Sequence, residues 1–420
     1  MDIYIKRLNK TISDIIFQLR EEKNLTYSEL EELTGVSRSV LYRIEHGETK
    51  RPGYRTVKVI AAVFPAHYNE IMECYIQEEE RIDVLFEILR EIVNVEDHSF
   101  LVSQILRSPQ GKTEGTLQRL YDFTGKISDS ALKVILYKAI IKYSREHGVM
   151  KYIAKGLLQK HLIERLDITR LEQSYQDGQE ILNYTNFLSF EEQITLYLRM
   201  GLLAFAVKKF EDCIQFCQTG IVMERKDTEL KARAHLAMIN SYSRLKNYDK
   251  VEELLDVFEK YKYDFVNEAA KISRAIVKAR KGEYDIAVPL LEDYLEELSQ
   301  QYRLHIIDEL FEIYLKLDDL NACAKLLERE CEMLGAIPEL PHTYNSLGKY
   351  YQHKGYYFVN IGLIDEGVKS FATSLQYLTK INAFQEKDIY VFLMFIQNSL
   401  ILNQGLYKSY NIDDPKSLYN

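Results

Sequence analysis

Apolar side chains recur every three or four residues along most of the chain, which is the spacing of one face of an α-helix. The first such run covers residues 9–23, where Ile12, Ile15, Ile16 and Leu19 fall at helical spacing. The 18 Gly and 7 Pro residues lie mostly between these runs, and both residue types interrupt helices. The pattern therefore predicts an all-α protein.

Residues 25–52 predict two short helices joined by a tight turn. Thr26 and Glu29 have the three-residue spacing of a capping box. Gly35 suits the turn, and Ser37 suits the N-cap of the second helix. The apolar anchors expected between the two helices are Leu30, Leu33, Val36, Val40, Leu41 and Ile44.

This arrangement is typical of a helix-turn-helix, in which the second helix enters the major groove of DNA. A further helix over residues 55–64, ended by Pro65, is expected to close the small core. A long helix, or a broken pair of helices, is expected from His67 onward.

From about residue 190 the sequence becomes self-similar. Phe210, Tyr248, Tyr284 and Leu320 fall in register, the last three 36 residues apart. The small or medium side chains three positions later are Cys213, Val251, Ala287 and Cys323, and four positions after these come Cys217, Leu255, Leu291 and Leu327. This spacing is similar to that of tetratricopeptide repeats, which are helix pairs with a period of about 34 residues.

A fifth unit fits residues 344–371, with about seven extra residues between its halves. One or two degenerate units are expected over residues 130–190. The predicted fold is therefore all-α, with an N-terminal helix-turn-helix domain followed by a tetratricopeptide-like α-solenoid.

The expected domains are the helix-turn-helix at 1–68, a helical linker region at 69–130, the repeats at 131–385 and a C-terminal helical region at 386–420. The apolar helix of this last region, at about 386–404, is expected either to cap the solenoid or to form a dimer contact.

Charge is distributed unevenly along the chain. Residues 1–68 hold 11 Lys and Arg against 9 Asp and Glu, a net charge of +2, whereas the whole chain carries −9. The remaining 352 residues therefore carry −11. Between Ser37 and Lys58 there are six basic residues against two acidic ones. The positive field thus lies around the second helix of the motif, as phosphate binding requires.

Several classes of function are disfavoured by the sequence. The five Cys form no CxxC and no Cys/His spacing of a zinc site, and the sequence contains no HExxH or GxSxG motif. We expect no metal, no cofactor and no enzymatic activity. No apolar run approaches the roughly 18 residues that cross a bilayer. An odd number of Cys and no signal peptide favour a cytoplasmic protein without membrane contact.

In a helix-turn-helix the first residues of the second helix point at base edges. Arg38 and Arg43 are candidates for bidentate bonds to guanine, whereas Lys50 and Arg51 suit phosphate contacts. The expected DNA-binding residues are Tyr27, Ser37, Arg38, Ser39, Tyr42, Arg43, Lys50 and Arg51. The alternative is a helix-turn-helix retained only for protein contacts.

The first helix of each repeat is expected to present polar side chains to a concave groove. Amide side chains pair with a peptide backbone as donor and acceptor, and carboxylates hold an amine, so a mixed set predicts a site for a short peptide. The expected peptide-binding residues are Arg199, Arg233, Asn240, Arg244, His305, Asp308, Glu312, His342, Asn345 and Lys349. The alternative is that they are ordinary polar residues on a solvated face.

A repressor-type helix-turn-helix followed by such repeats resembles the peptide-sensing regulators of Gram-positive bacteria and their phages, the Rgg, Rap, NprR, PlcR and PrgX superfamily. The stretch 57–75, with Pro65, Glu70, Met72 and Tyr75, also resembles the arbitrium receptors of that superfamily.

This resemblance implies a homodimer on a double-stranded DNA operator with two half-sites. It also implies a short signalling peptide in the groove, as in quorum sensing or phage lysis-lysogeny control. A second function stays open, in which the repeats sequester a regulatory protein partner, as Rap-type members do. Those members lack a basic recognition helix, which this sequence has.

Overall fold

The computed structural model describes residues 10–91, 98–108, 113–330 and 341–381, and the single positions 393 and 397. These residues form 21 α-helices and three short 3-10 helices, and none of them lies in a β-strand. The all-α class predicted from the sequence is therefore confirmed. The chain divides between Ile163 and Glu164 into two compact units, which we call the amino-terminal unit and the repeat unit.

The amino-terminal unit begins with five helices that form the helix-turn-helix domain. They are α1 (Ile12–Glu22), α2 (Tyr27–Thr34), α3 (Arg38–Glu45), α4 (Tyr54–Val63) and α5 (Tyr68–Glu78). Capping boxes start the first two helices, Thr11 with Asp14 in α1 and Thr26 with Glu29 in α2. Each box satisfies backbone N–H groups that have no partner inside the helix.

The turn between α2 and α3 follows the predicted pattern with two differences. Gly35 adopts a φ of +70°, a left-handed conformation that a Cβ would strain. Ser37 occupies the N-cap of α3, but its side chain makes no capping bond. Leu30 is fully buried, whereas the expectation of a buried Leu33 was wrong, since 59% of that side chain is exposed. The reason is that α2 is only eight residues long and buries fully just the Leu30 position.

Five more helices complete the packing of this unit: α6 (Ile82–Glu91), α7 (His98–Arg107), α8 (Thr113–Lys126), α9 (Ser130–Glu146) and α10 (Met150–Glu164). The predicted helix from His67 onward is thus a broken pair, α5 and α6. One hydrophobic cluster runs from Ile12 to Tyr152 and includes Phe86 and Leu120. The helix-turn-helix therefore shares its core with the helices that follow it.

The repeat unit contains α11 (Leu171–Leu182) and five helix pairs. The pairs are α12 (Phe190–Ala206) with α13 (Phe210–Met223), α14 (Glu229–Arg244) with α15 (Tyr248–Phe258), α16 (Asp264–Arg280) with α17 (Tyr284–Glu297), α18 (Gln300–Lys316) with α19 (Leu320–Glu328), and α20 (Pro341–Asn360) with α21 (Ile364–Lys380). The first helices α12, α14, α16, α18 and α20 pack in succession, and we call the surface that they form the inner face.

The repeat register predicted from the sequence is confirmed. Phe210, Tyr248, Tyr284 and Leu320 are the first residues of α13, α15, α17 and α19. The fifth pair differs in the expected direction, because α20 has 20 residues whereas the other first helices have 16 or 17. The extension of the helix is thus three or four residues, less than the seven expected.

The turn inside each pair also repeats. Its left-handed residues, at φ between 58° and 85°, are Lys208, Lys246, Gly282, Asp318 and Gly362. Three of these carry a Cβ in a conformation that normally favours glycine. The stacking of the pairs, and not the turn residue, therefore selects this geometry.

Two sequence predictions stay open. The expected apolar helix at 386–404 lies, apart from positions 393 and 397, outside the described residues. The domain limits expected after residues 68, 130 and 385 remain predictions, and the division into compact units falls between Ile163 and Glu164.

Candidate functional site

One side of α3 is anchored in the core and the other is open to solvent. Leu41 and Ile44 are at most 1% exposed. The exposed residues on and beside this helix are Ser37, Arg38, Ser39, Tyr42, Arg43 and His46. These include five of the eight residues predicted to bind DNA, and all five lie on the accessible side of a rigidly seated helix.

The two arginines of this surface differ in their local bonds. Arg38 forms an ion pair with Glu31 at 2.9 Å, and its side chain remains 65% exposed. Arg43 donates from Nε to the carbonyl of Ser39 at 3.3 Å and has no carboxylate partner among the described residues. The outer nitrogens of Arg43 therefore remain available to an acceptor from outside the chain.

Tyr27 takes part in a buried network beneath the recognition surface. Its hydroxyl donates to Glu45 at 2.8 Å, and the guanidinium of Arg20 lies 4.5 Å from the centre of its ring. Arg20 donates from Nε to both carboxylate oxygens of Glu45, at 2.9 and 3.1 Å. Burial and the bond to Glu45 raise the pKa of the Tyr27 hydroxyl. Tyr27 therefore helps to fix α3, and its expected contact with DNA stays a prediction.

The basic residues after α3 face a row of carboxylates on and before α6. Lys50 is exposed, with no ion pair to another described residue, whereas Arg51 is paired with Glu80. Two further pairs join α4 to α6, Arg55 with Glu87 and Lys58 with Glu91. Part of the positive charge predicted around α3 is thus neutralised within the domain.

The repeat unit gathers a charged cluster on its inner face, around α18. Arg280 at the end of α16 donates to Glu309 at 2.6 Å and to Glu312 at 2.8 and 3.0 Å. Lys316 also donates to Glu312, at 2.8 Å. Burial raises the pKa of Glu312, but Arg280, His353 and Lys316 outweigh it and hold that pKa at about 2. The carboxylate of Glu312 is therefore ionised at neutral pH.

A second part of the cluster joins α18 to α20. The Nδ1 atom of His353 lies 2.9 Å from Asp308, which is almost fully buried. Burial raises the pKa of Asp308, but this bond and the nearby positive charges bring it below its ordinary value. Burial and the charge of Arg244 lower the pKa of Lys349, against the pull of Asp308 and the neighbouring carboxylates.

Five predicted residues from three helices therefore meet in this cluster: Arg244, His305, Asp308, Glu312 and Lys349. Sequence reasoning missed four members, Arg280, Glu309, Lys316 and His353. Three of these had a local signal, because Glu309, Lys316 and His353 lie one helical turn after the predicted residues His305, Glu312 and Lys349.

The other predicted inner-face residues are dispersed. Asn240 and Asn345 are half-buried on α14 and α20. Arg233 is exposed and pairs with Glu229 at 2.7 Å on its own helix. Arg199 is half-buried on α12. The side chain of His342 lies outside the described part of the structure.

The cluster contains one set of potential metal ligands. The ligand atoms of His305, Asp308 and Glu309 lie within 4.8 Å of one another. However, Asp308 is already bonded to His353 and Glu309 to Arg280. A divalent cation would have to displace these partners, so the charge arrangement disfavours metal binding.

Comparison with known protein families supports the helix-turn-helix described above. Residues 16–71 match the family described as Helix-turn-helix. This part of the chain is a helix-turn-helix domain. No curated protein sequence matches the chain. None of the described helices is long and apolar enough to cross a membrane.

Solved structures are similar to the chain at low sequence identity. A tetratricopeptide repeat protein from Parabacteroides merdae superimposes with a TM-score of 0.50 and 14% identity, over 68% of this chain and 98% of that one. The structure of phAimR gives 0.38 and 13%, over 93% and 96%. Bacillus thuringiensis PlcR in complex with the peptide PapR7 and DNA gives 0.28 and 13%, over 93% and 99%. The first similarity supports the tetratricopeptide-like fold, and the predicted architecture is confirmed.

Proposed function

We propose that this chain is a transcription regulator that binds operator DNA as a homodimer and is switched by a short peptide on the inner face of its repeats. The observation that carries the proposal is the exposed polar side of α3, held in place by the buried Arg20–Glu45 pair. A polar helix surface on a rigid support is what base readout in the major groove requires.

The two arginines of α3 are expected to contribute unequally to DNA binding. Arg43 is free of carboxylates among the described residues and suits a bidentate bond to guanine, worth about 1–3 kcal/mol against a wrong base. Arg38 would first have to leave Glu31, at 2.9 Å. One domain with so few free cations would bind DNA weakly, so two copies on half-sites about 34–36 Å apart supply the affinity.

The inner face provides the groups that a peptide needs. Asn240 and Asn345 are half-buried amides, which suit a peptide backbone. The cluster around Asp308 and Glu312 supplies fixed charges in a partly buried setting, where electrostatic contacts are stronger than in water. A coupling of about 1–3 kcal/mol between peptide and DNA would change DNA affinity about 5- to 150-fold.

The DNA assignment is tested by fluorescence anisotropy with duplexes covering the DNA on either side of the gene for this chain. We expect one duplex to bind more tightly than random sequence, and Arg43→Ala to weaken it about tenfold or more. Arg225→Ala, an exposed arginine of the repeat unit, is the matched control and should bind as the parent does. Equal binding by parent and Arg43→Ala would refute the assignment.

The peptide assignment is tested by calorimetry with pools of synthetic penta- to octapeptides. We expect at least one pool to bind, and Asn240→Ala and Asn345→Ala to weaken it. If no pool binds while a folded protein is captured tightly, the chain is instead a module that sequesters a protein partner.

A further inference from the structure

Arg165 and Arg199 are half-buried arginines of the repeat unit without a negative partner among the described residues. Arg165 directly follows α10, and Arg199 lies on α12. The Nε atom of Arg165 is buried without any hydrogen-bond partner. Burial, with a contribution from the charge of Arg199, lowers the pKa of Arg165 to about 10. Burial and the charge of Arg233 lower that of Arg199.

Arg303 on α18 also has a buried Nε without a hydrogen-bond partner, whereas other half-buried cations of the repeat unit are paired. The comparably buried Arg280 is bonded to Glu309 and Glu312, and Lys354 is bonded to Glu330 at 2.6 Å. Buried cations are normally paired in this way, because an unpaired one loses its hydration without compensation. Arg165 and Arg199 are left with a like charge beside them and no anion.

Arg233 lies beside this group, although it is paired with Glu229 at 2.7 Å on its own helix. Arg199 lies 11 residues before Phe210, the start of α13, and Arg233 lies 15 residues before Tyr248, the start of α15. The two arginines therefore lie on matching sides of successive first helices, one helical turn apart. Arg233 is exposed, with its guanidinium 4.6 Å from the ring centre of Phe265, so it lies at the accessible edge of the group.

We propose that Arg165 and Arg199, with Arg233 at the edge, form a carboxylate-binding subsite in the repeat unit. This inference rests on the proposed peptide function and specifies which end or side chain of the peptide is recognised. A guanidinium binds a carboxylate by donating two parallel N–H hydrogen bonds, and a small anion reaches half-buried groups that a nucleic-acid backbone would not. The carboxylate is either the peptide C-terminus or an Asp or Glu side chain.

Four pools of random hexapeptides separate these sources. Two pools have a free C-terminal carboxylate and two are amidated, and one of each contains Asp and Glu while the other does not. Full-length protein is immobilised, retained peptides are identified by mass spectrometry, and their affinities are measured by calorimetry. Loss of affinity of tenfold or more on amidation assigns the C-terminus, and the same loss on removal of Asp and Glu assigns an acidic side chain.

The arginines are tested with Arg165→Gln and Arg199→Gln, and with Arg225→Gln as an exposed control. We expect the first two to abolish the preference for carboxylate while the control retains it. Both variants relieve charge repulsion, so their melting temperatures should not fall. Arg199→Lys keeps the charge without the planar fork, and it should lose most of the preference even if a glutamine variant fails to fold.

Two results would overturn the inference without touching the proposed function: peptides that bind the arginine variants as they bind the parent, and peptides that bind equally well with no carboxylate. Weaker DNA binding by the arginine variants, with peptide binding unchanged, would assign these residues to nucleic acid instead. Retention of no peptide by the parent would refute the peptide function together with its subsite.

Discussion

Arg20 and Glu45 form a buried ion pair that links α1 to the last residue of α3. Both side chains are at most 9% exposed, and Nε lies 2.9 Å from one carboxylate oxygen. Removal of the Glu45 carboxylate leaves the buried Arg20 with only Glu21, at 2.8 Å and 57% exposed, as an ion-pair partner, and breaking a buried pair costs up to about 3–5 kcal/mol. We therefore expect Glu45→Gln to lower the urea midpoint for unfolding of the amino-terminal unit, followed by circular dichroism and by Tyr fluorescence.

The exposed pair of Arg233 and Glu229 is the matched control. Its side chains are 53% and 54% exposed, and such pairs contribute about 0–1 kcal/mol. Glu229→Gln should therefore leave the midpoint nearly unchanged. Similar shifts for the two variants would show that the Arg20–Glu45 pair does not hold α3 in place.

The sequence predicted the starts of helices and the register of the repeats better than it predicted the partners of their charged side chains. Thr26 with Glu29, and the repeat anchors such as Tyr248, depend on residues close in sequence, and both features were found. The bonds of Arg280 to Glu309 and Glu312 join residues about 30 positions apart on different helices, and periodicity does not reveal such pairs. The hydroxyl of Tyr27 was assigned to DNA for the same reason, because its partner Glu45 lies 18 residues away.

The buried imidazole of His235 predicts that the repeat unit is less stable in mild acid. Burial, with a contribution from Lys231, lowers its pKa from 6.5 to about 4, and its Nδ1 atom lies 3.2 Å from the hydroxyl of Tyr261. Above pH 6.5 both folded and unfolded forms are neutral. Below it the unfolded chain takes up a proton that the folded chain refuses, so stability falls as the pH drops from 6.5 towards 4, by up to about 3 kcal/mol.

The measurement is the urea midpoint of the full chain at several pH values between 7.5 and 4. A His235→Gln variant should show a smaller decrease over this interval than the parent. His147→Gln, which changes an exposed histidine, should follow the parent curve. Parallel curves for the parent and His235→Gln would contradict the prediction.

The close packing around Gly201 predicts that even an alanine at this position destabilises the protein. A Cβ at this position would overlap Sγ of Cys217 and lie 3.1 Å from the backbone N of the same residue. Since backbone of α13 cannot yield as a flexible side chain does, Gly201→Ala should destabilise the repeat unit by about 1–3 kcal/mol. Thermal unfolding of the parent and the variant measures this loss of stability. The control is Gly115→Ala in α8, where a Cβ meets nothing within 4 Å and the better helix propensity of Ala should stabilise by up to about 1 kcal/mol.

Three carboxylates that pair with basic residues on and before α4 are expected to lower the affinity of the domain for DNA. Glu80, Glu87 and Glu91 occupy Arg51, Arg55 and Lys58, and a phosphate would have to displace them. The variant with all three changed to Gln should therefore bind the duplex of the DNA assay several-fold more tightly at moderate salt. Each cation released onto a phosphate should also steepen the dependence of log affinity on log salt by about 0.9.

The control for this experiment is Glu252→Gln in the repeat unit. This change removes the nearer of the two carboxylate partners of Lys281, at 3.0 Å, and leaves Asp249 at 3.7 Å. It raises the net charge without changing the helix-turn-helix domain. It should move affinity by much less than the triple variant. A triple variant with higher affinity but an unchanged salt slope would mean that the released cations act at long range and do not contact phosphates. No gain in affinity would show that these three basic residues lie away from the DNA, leaving Arg43 and Lys50 as the contacts that decide binding.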